Sequence, residues 1–118
     1  MILNLSESLK NSRQFSRVYK NGVSYANRYL VMYKLENQLE MNRIGISVSK
    51  KVGNSVVRHR ITRLIRESFR LNKNKFSCGY DIVVVARVAS KDKQYREIES
   101  ALLQVANLHK IVKEMIES

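Results

Sequence analysis

Hydrophobic side chains recur along the chain with two periods, one typical of helices and one typical of strands. A spacing of three or four residues, as in Phe15, Val18 and Tyr19, places side chains on one side of a helix. Arg43 to Ser49 instead alternates at every second residue, and Tyr80 to Val88 is a nearly continuous β-branched run, typical of a strand buried on both faces. The pattern predicts helices at Asn11 to Asn21, Val56 to Leu71 and Gln94 to Glu117, and strands at Tyr29 to Leu35, Arg43 to Ser49 and Tyr80 to Val88, with a further short strand near Val23.

Glycine and asparagine residues mark the ends of these elements. Gly22 is predicted to end the first helix in the left-handed conformation, and Asn54 or Ser55 can cap the second helix. The sequence leaves open whether the third helix breaks near Asn107. The resulting order, α-β-β-α-β-α with the extra strand after the first helix, indicates an α+β sandwich in which helices pack on a sheet. A chain of 118 residues fits a single domain, residues 1–118.

Basic residues dominate the charge of the chain. Lys plus Arg number 22 against 10 Asp plus Glu, a net charge of +12, which implies a polyanionic partner such as nucleic acid. The excess is concentrated between Lys50 and Lys75, where Glu67 is the single acid, whereas Gln94 to Ser118 is close to neutral. No apolar run is long enough to span a membrane, and the single cysteine, Cys78, fits a reducing compartment, so a cytoplasmic location is expected.

The second predicted helix separates apolar and basic residues onto opposite sides. Val57, Ile61 and Leu64 lie on the apolar side together with Ile65, Ser68 and Phe69. The opposite side repeats positive charges at i, i+4, i+7 and i+11, although such like charges repel each other along a helix. Because only one acid interrupts them, the arrangement predicts a phosphate-binding surface rather than a merely solvated side. This arginine stripe consists of His59, Arg63, Arg66 and Arg70, with Arg60 at its margin.

Residues that could carry hydrolytic chemistry are scarce. The two histidines, His59 and His109, are not paired in a pattern that predicts acid–base cleavage, and His109 is expected to be structural. Cys78 has no activating neighbour in the sequence, and Asp81 and Asp92 form no metal-ligand motif. The sequence therefore predicts no catalytic residue and no protein metal site, and any cleavage chemistry is expected elsewhere.

The stretch Ile46 to Glu67, ISVSKKVGNSVVRHRITRLIRE, resembles the signature of the bacterial ribonuclease P protein family: a strand ending in S-K-K, then G-N, then an arginine-rich helix. Upstream, FSRVYKNGVSYANRYLVMY resembles the first helix and strand of the family, and Tyr80 to Ala89 resembles its buried strand. Two positions depart from the family pattern. His59 stands where Asn is usual, which makes its charge pH-dependent, and Thr62 stands where Lys is common.

The resemblance implies an α-β-β-β-α-β-α fold similar to domain 2 of ribosomal protein S5, with a left-handed βαβ crossover around the basic helix, against the usual right-handed rule. It implies the protein subunit of an endoribonuclease whose RNA subunit is the catalyst. The implied partners are ribonuclease P RNA and precursor tRNA, with no membrane and no small-molecule substrate, and Mg²⁺ is expected to be held mainly by the RNA. The product would be tRNA with a mature 5′ end.

The site residues form two groups. Most of the RNA-facing residues follow from the resemblance, and His59 and Arg70 are added from the stripe: Lys50, Lys51, Asn54, Arg58, His59, Arg60, Arg63, Arg66 and Arg70. Aromatic faces flanked by cations suit the unpaired nucleotides of a 5′ leader, although the same aromatic residues could be ordinary core residues. The leader-facing residues that the resemblance implies are Phe15, Arg17, Tyr19, Arg28 and Tyr33.

Two other classes of protein remain open on the sequence. A ribosomal or general RNA-binding protein without a role in cleavage would use the same arginine stripe. A DNA-binding protein would read the major groove with the basic helix, but the stripe lacks the Asn, Gln or Ser expected for mixed base readout.

Overall fold

A computed structural model describes residues 6–113 of the chain and shows helices packed against both faces of one sheet. Among these residues it contains five strands, three α-helices and two single-turn 3₁₀ helices, at Lys73–Lys75 and Val88–Ser90. The elements are β1 (Ser6–Ser8), α1 (Ser12–Asn21), β2 (Val23–Ala26), β3 (Leu30–Glu36), β4 (Asn42–Ser47), α2 (Ser55–Asn72), β5 (Tyr80–Ala86) and α3 (Tyr95–Leu108).

The strands are arranged in the order β1-β4-β5-β3-β2. β4 and β5 are parallel neighbours, so the chain crosses between them through α2, whereas β3 pairs antiparallel with both β5 and β2. This topology confirms the predicted α+β sandwich and its element order, and the left-handed sense of the crossover stays a prediction. The pattern missed β1, because its three residues, Ser6–Ser8, are polar and are ordered by backbone pairing with β4.

The main core lies between the sheet and helices α2 and α3. Ile61 and Ile65 of α2 are fully buried, which confirms the predicted apolar side of this helix. β5 is buried on both faces, as predicted: Ile82 and Val84 belong to the main core and Val83 faces α1. The remaining buried residues of this core are Leu30, Met32, Phe69, Phe76, Ala86, Ile98, Ala101, Leu102, Val105, Ala106 and Ile111.

A smaller core holds α1 on the other face of the sheet. Val18 is fully buried there with Leu9 and Val83, and Phe15 packs against them. The Phe15 ring lies over Gly45 of β4: a Cβ built on Gly45 would be 2.6 Å from Cζ of Phe15. The missing side chain at residue 45 therefore lets α1 lie directly on the sheet.

The predicted end of α1 at Asn21 is confirmed, whereas the conformation of Gly22 and the end of α3 differ from the prediction. Gly22 is not left-handed, with φ of −84°; it is needed because a Cβ there would lie 2.6 Å from the Val18 carbonyl oxygen and 2.8 Å from that of Lys34. α3 ends at Leu108 rather than at Glu117, which agrees with the break near Asn107 that the sequence left open. The helix ends there because Lys110 adopts a φ of 60° and turns the chain so that Ile111 enters the main core. Met115, Ile116 and Glu117, which were predicted in this helix, lie outside the described residues.

The contact between Gly45 and Phe15 leads to a stability prediction. Gly45→Val is expected to lower the free energy of unfolding by about 1–3 kcal/mol, because the new side chain overlaps the Phe15 ring and the backbone of α1 must move. Urea denaturation measures the effect. In a Phe15→Ala background, Gly45→Val should lower the free energy of unfolding much less, because the ring that it overlaps is gone. An equal decrease in the wild-type and Phe15→Ala backgrounds would contradict the contact.

Candidate nucleic-acid interface

The N-terminus of α2 begins beside a basic loop. Asn54 caps the helix, its Oδ1 accepting a hydrogen bond of 3.0 Å from the backbone N–H of Val57, as predicted. Lys50 and Lys51 are exposed just upstream, where free N–H groups and the helix dipole favour an anion. Asn54 is exposed as well, so the loop lysines and the cap share one surface with the start of α2.

The arginine stripe lies on the solvent side of α2, as the periodicity predicts. His59, Arg63 and Arg66 are exposed and border a surface depression of about 170 Å³ together with Thr62 and Glu67. Within residues 6–113, neither Arg63 nor Arg66 makes a salt bridge with an acid. Two guanidinium groups on this side of α2 are therefore available to an external anion.

Arg60 and Arg70 of α2 have partners within the protein. Arg70 donates hydrogen bonds to the Glu67 carboxylate, and its Nε lies 3.1 Å from the Glu67 Oε2. The positive charge at the C-terminal end of the predicted stripe is therefore neutralised. The pKa of Glu67 is lowered mainly by this hydrogen bond. Arg60 points to the loop before α3 and donates to the carbonyls of Lys91 and Lys93, at 3.4 and 2.6 Å.

Arg58 differs from the exposed members of the stripe. It is half-buried, and its buried Nε has no hydrogen-bond partner among the described residues. Thr62, one turn further along α2, donates from its hydroxyl to the Arg58 carbonyl at 2.8 Å. The structure thus brings His59, Arg63 and Arg66 together in the depression, with Arg58 beside the start of the helix.

Aromatic side chains line the junction of α1 with the sheet. Tyr19 of α1 is 40% exposed and meets Tyr33 of β3 edge to face, with ring centroids 4.9 Å apart. Phe15 is half-buried against Gly45, so it anchors α1 on the sheet. Four of the five residues in the predicted leader group, Phe15, Arg17, Tyr19 and Tyr33, are thus held by α1 and β3.

Arg28 lies apart from these four residues. It precedes β3, its guanidinium lies 5.8 Å from the centroid of the Tyr29 ring, and it borders two depressions that contain none of the four. The separation could not be seen in the sequence, where Arg28 and Tyr33 are only five residues apart.

A buried carboxylate that the motifs did not identify fixes α1 to the sheet. Asp81 is fully buried at the start of β5 and accepts two hydrogen bonds of 2.7 Å from Arg43. Asn37 donates to it at 2.9 Å and Arg17 of α1 at 3.3 Å. Burial alone would raise the pKa of Asp81, but the hydrogen bonds from Arg43 and Asn37 and the charges of Arg43 and Arg17 outweigh it and lower this pKa. An acid within an apolar strand was the sequence signal for this site.

The other candidates for chemistry have structural positions. His109 is buried, its Nε2 lies 2.8 Å from the Met32 carbonyl, and burial lowers the pKa of its imidazole. Cys78 is half-buried in the loop before β5 and is not part of a disulfide. Between Ser6 and Lys113, no group of three or more His, Cys, Asp and Glu side chains is arranged to hold a metal ion. The described helices include none long and apolar enough to cross a membrane.

A helix with exposed arginines on its solvent side and an exposed aromatic pair beside α1, both on an α+β sandwich, indicate an RNA-binding protein. Comparison with known families gives the particular one: the family model described as Ribonuclease P matches residues 3–110. The chain belongs to the ribonuclease P protein family, which confirms the predicted resemblance and the function it implies, that of a protein component of ribonuclease P.

Individual relatives agree with this assignment. The chain is 68% identical over 108 residues to the ribonuclease P protein component of Lachnoclostridium phytofermentans, covering 92% of this chain and 93% of the relative. It is 50% identical to that of Alkaliphilus metalliredigens, covering 91% and 96%. Among solved structures, the RNase P protein of Staphylococcus aureus superposes with a TM-score of 0.83 at 40% identity, covering 90% and 97%, and that of Thermotoga maritima with 0.80 at 30%, covering 94% and 98%.

Proposed function

We propose that this protein binds a catalytic ribonuclease P RNA through α2 and the 5′ leader of precursor tRNA through the cleft beside α1, and that the RNA performs the cleavage. One observation carries the proposal: Arg63 and Arg66 are exposed and form no salt bridge with any acid from Ser6 to Lys113, on a helix whose opposite side packs against the core through Ile61 and Ile65. A planar guanidinium that no internal acid neutralises suits phosphate oxygens. The proposed RNA-facing residues are Lys50, Lys51, Asn54, Arg58, His59, Arg63 and Arg66.

The cleft beside α1 fits a single-stranded leader. Tyr19 offers an exposed aromatic surface on which a base of any identity can stack, and Tyr33 supports it edge to face. Arg17 is half-exposed although it contacts Asp81, so its outer N–H groups can also reach a backbone phosphate. A cleft of this composition binds unpaired nucleotides without reading their sequence, which suits leaders that differ between precursor tRNAs.

The Mg²⁺ ions used in cleavage are assigned to the RNA. The described residues gather no cluster of metal-ligating side chains, so they do not fit a protein-held Mg²⁺ site and no catalytic step is assigned to one. The contribution of the protein is to hold the RNA and the leader together by its charge and its aromatic cleft. We also propose that the protein acts in the cytoplasm, where precursor tRNA is processed in bacteria.

Reconstitution tests this function directly. The purified protein alone is expected to leave precursor tRNA intact, and protein combined with ribonuclease P RNA and Mg²⁺ should release the leader and give a 5′-matured tRNA on a denaturing gel. Cleavage by RNA-free protein at a comparable rate would overturn the assignment of catalysis to RNA. Co-isolation with ribosomes, and no stimulation of the RNA, would instead support a general RNA-binding protein.

Tyr19 provides a prediction for the leader cleft. Tyr19→Ala is expected to lower the affinity of the reconstituted enzyme for precursor tRNA by about tenfold, because one base loses an aromatic stacking partner worth roughly 1–3 kcal/mol. Affinity for mature tRNA, which has no leader, should stay unchanged. Equilibrium binding to both RNAs measures the difference.

Tyr19→Phe is the matched control, because it keeps the ring and should bind precursor like the wild-type protein. An equal loss of affinity for precursor and mature tRNA in Tyr19→Ala would contradict the leader assignment. Loss of the folded circular dichroism spectrum would show instead that Tyr19 serves mainly the packing of α1.

A further inference from the structure

A second basic surface lies at the other end of the sheet from α1. β5 runs from Asp81, which contacts α1, to Ala86, and Arg87 follows at a distance of about 20 Å along the strand. Two adjoining depressions open there, of about 580 and 360 Å³, and Asn27 and Arg28 border both of them. Neither depression includes a residue of α1 or α2, so this surface is separate from the interface described above.

Cations on this surface surround one aromatic ring. The ammonium group of Lys93 lies 5.4 Å from the centroid of the Tyr29 ring, and the guanidinium of Arg28 lies 5.8 Å from it. Cations within about 6 Å of an aromatic centroid are attracted to the ring, which holds both side chains close together despite their repulsion. Arg96 borders the same depression as Arg28 and Tyr29. We call the group Arg28, Tyr29, Lys93 and Arg96 the Tyr29 surface.

Two acids near the Tyr29 surface offset only part of its positive charge. Glu97 uses its carboxylate to accept a hydrogen bond of 3.0 Å from the backbone N–H of Gln94 in the cap of α3. Asp92 is 85% exposed, and its carboxylate reaches the Lys93 ammonium only at 4.0 Å. Neither Arg28 nor Arg96 forms a salt bridge with any residue from Ser6 to Lys113. Four cations, counting Arg87 of the adjoining depression, therefore face the two acids Asp92 and Glu97, and the surface keeps a net positive charge.

The backbone beneath the Tyr29 surface is held in place. The Asn27 side chain donates to the Ala101 carbonyl at 2.8 Å and to Gln104 at 3.0 Å, which fixes the loop before β3 to α3. Arg87 donates to the Asn27 carbonyl at 3.0 Å. A preformed cationic surface loses little conformational entropy when it binds a ligand.

Arg60 joins this surface to the RNA-facing helix. Its guanidinium extends from α2 to the Lys93 carbonyl at 2.6 Å, so the segment that carries Lys93 and the start of α3 is attached to α2. A strand of RNA lying along the stripe of α2 can therefore continue toward the Tyr29 surface without leaving positively charged protein. This continuity favours RNA over an acidic protein or a lipid headgroup as the partner.

We propose that the Tyr29 surface is a second RNA-binding surface, which holds the phosphate backbone of the same RNA that α2 binds. The proposal rests on the proposed function of α2. Lys93 and Arg96 supply the phosphate contacts, Arg28 a third, and Tyr29 keeps Arg28 and Lys93 in position. Since the contacts are to phosphate, the surface adds affinity and orientation without reading sequence.

The test compares two pairs of neutralising substitutions near opposite ends of α3. Lys93→Gln/Arg96→Gln removes two charges from the Tyr29 surface, and Lys110→Gln/Lys113→Gln removes two exposed charges beyond the other end of the helix. Affinity for ribonuclease P RNA is measured against salt, without precursor tRNA. The first pair should weaken binding about tenfold and reduce the magnitude of the slope of log K against log salt by about 1–2. The second pair should leave both nearly unchanged.

The outcomes separate this surface from the α2 interface. Equal effects of the two pairs would mean that only overall charge matters and would overturn the proposal, as would wild-type affinity of Lys93→Gln/Arg96→Gln. If Arg63→Ala/Arg66→Ala weakens binding while Lys93→Gln/Arg96→Gln does not, the proposed function stands and the Tyr29 surface fails. If neither variant weakens it, RNA binding by α2 fails as well. Thermal unfolding of each variant verifies that the fold is retained.

A direct probe locates the RNA. An iron chelate tethered at Ser100→Cys, an exposed position lining the same depression as Arg96, is introduced in a Cys78→Ser background. Hydroxyl radicals from this position should cleave the RNA at a few neighbouring nucleotides. This cleavage should disappear when the protein also carries Lys93→Gln/Arg96→Gln. Absence of any discrete cut in a complex that still forms would overturn the proposal.

Discussion

Asp81→Ala is expected to lower the free energy of unfolding by about 3–5 kcal/mol, the largest effect of any single substitution considered for this protein. Asp81 is fully buried and accepts hydrogen bonds from Arg43, Asn37 and Arg17. Removing the carboxylate leaves the Arg43 guanidinium, whose side chain is only 20% exposed, beside an uncharged cavity. Urea denaturation measures the loss, and Asp92→Ala, at an exposed acid, is the control expected to change little.

The same carboxylate predicts how stability depends on pH. The pKa of Asp81 is lowered in the folded protein relative to its ordinary value of 3.8, so the folded protein binds its proton less readily than the unfolded chain does. The stabilisation by Asp81 is therefore complete above about pH 4 and is lost as the pH falls through the folded-state pKa. The difference in unfolding free energy between wild-type protein and Asp81→Asn should follow this curve, and a difference that is constant down to pH 2 would contradict it.

Loss of Asp81 also affects the leader cleft. Arg17 contacts the carboxylate from α1, so Asp81 helps to set the position of the helix that carries Tyr19. Under conditions where Asp81→Asn remains folded, we expect weaker discrimination between precursor and mature tRNA together with normal affinity for ribonuclease P RNA, since α2 lies on the other face of the sheet.

Arg63→Ala/Arg66→Ala is expected to weaken binding to ribonuclease P RNA by about 100-fold while the fold is retained. Each exposed guanidinium contributes a charge-assisted hydrogen bond worth roughly 1.5–3 kcal/mol, and neither has an acid partner within the described part of the chain. The magnitude of the slope of log K against log salt should fall by about 1.4–1.8, because two fewer phosphates are neutralised. Filter binding over a range of salt concentrations measures both quantities.

Arg70 provides the matched control for this prediction. Its guanidinium is bound to Glu67, so Arg70→Ala should weaken binding less than Arg63→Ala or Arg66→Ala does, although all three remove one charge from the same helix. Glu67→Gln should strengthen binding, because it releases Arg70 and removes the only acid of α2. Equal losses for the three single arginine variants would show that total charge, rather than the available guanidinium groups, determines affinity.

Local patterns predicted most of the fold and the main feature of the site. The spacing of Ile61 and Ile65 against Arg63 and Arg66 determined which side of α2 enters the core and which faces solvent, because a helix repeats every 3.6 residues whatever it packs against. The β-branched run of β5 likewise indicated burial on both faces. The local pattern did not locate β1, whose position depends on pairing with β4, or the end of α3, which depends on the left-handed turn at Lys110.

The sequence by itself therefore determined most of the helices and strands and the side of α2 on which the arginine stripe lies. Only the tertiary structure decided which cations already have a partner within the protein. Arg70 binds Glu67, and Arg60 binds the loop before α3. Arg17 contacts Asp81, which lies 64 residues away along the chain, and remains partly exposed. Periodicity is a property of neighbouring residues, whereas the pairing of a charge depends on which distant elements the fold brings within a few ångströms. The Tyr29 surface has the same origin, because the fold brings Arg28 and Arg96, which are distant in the sequence, to the border of one depression.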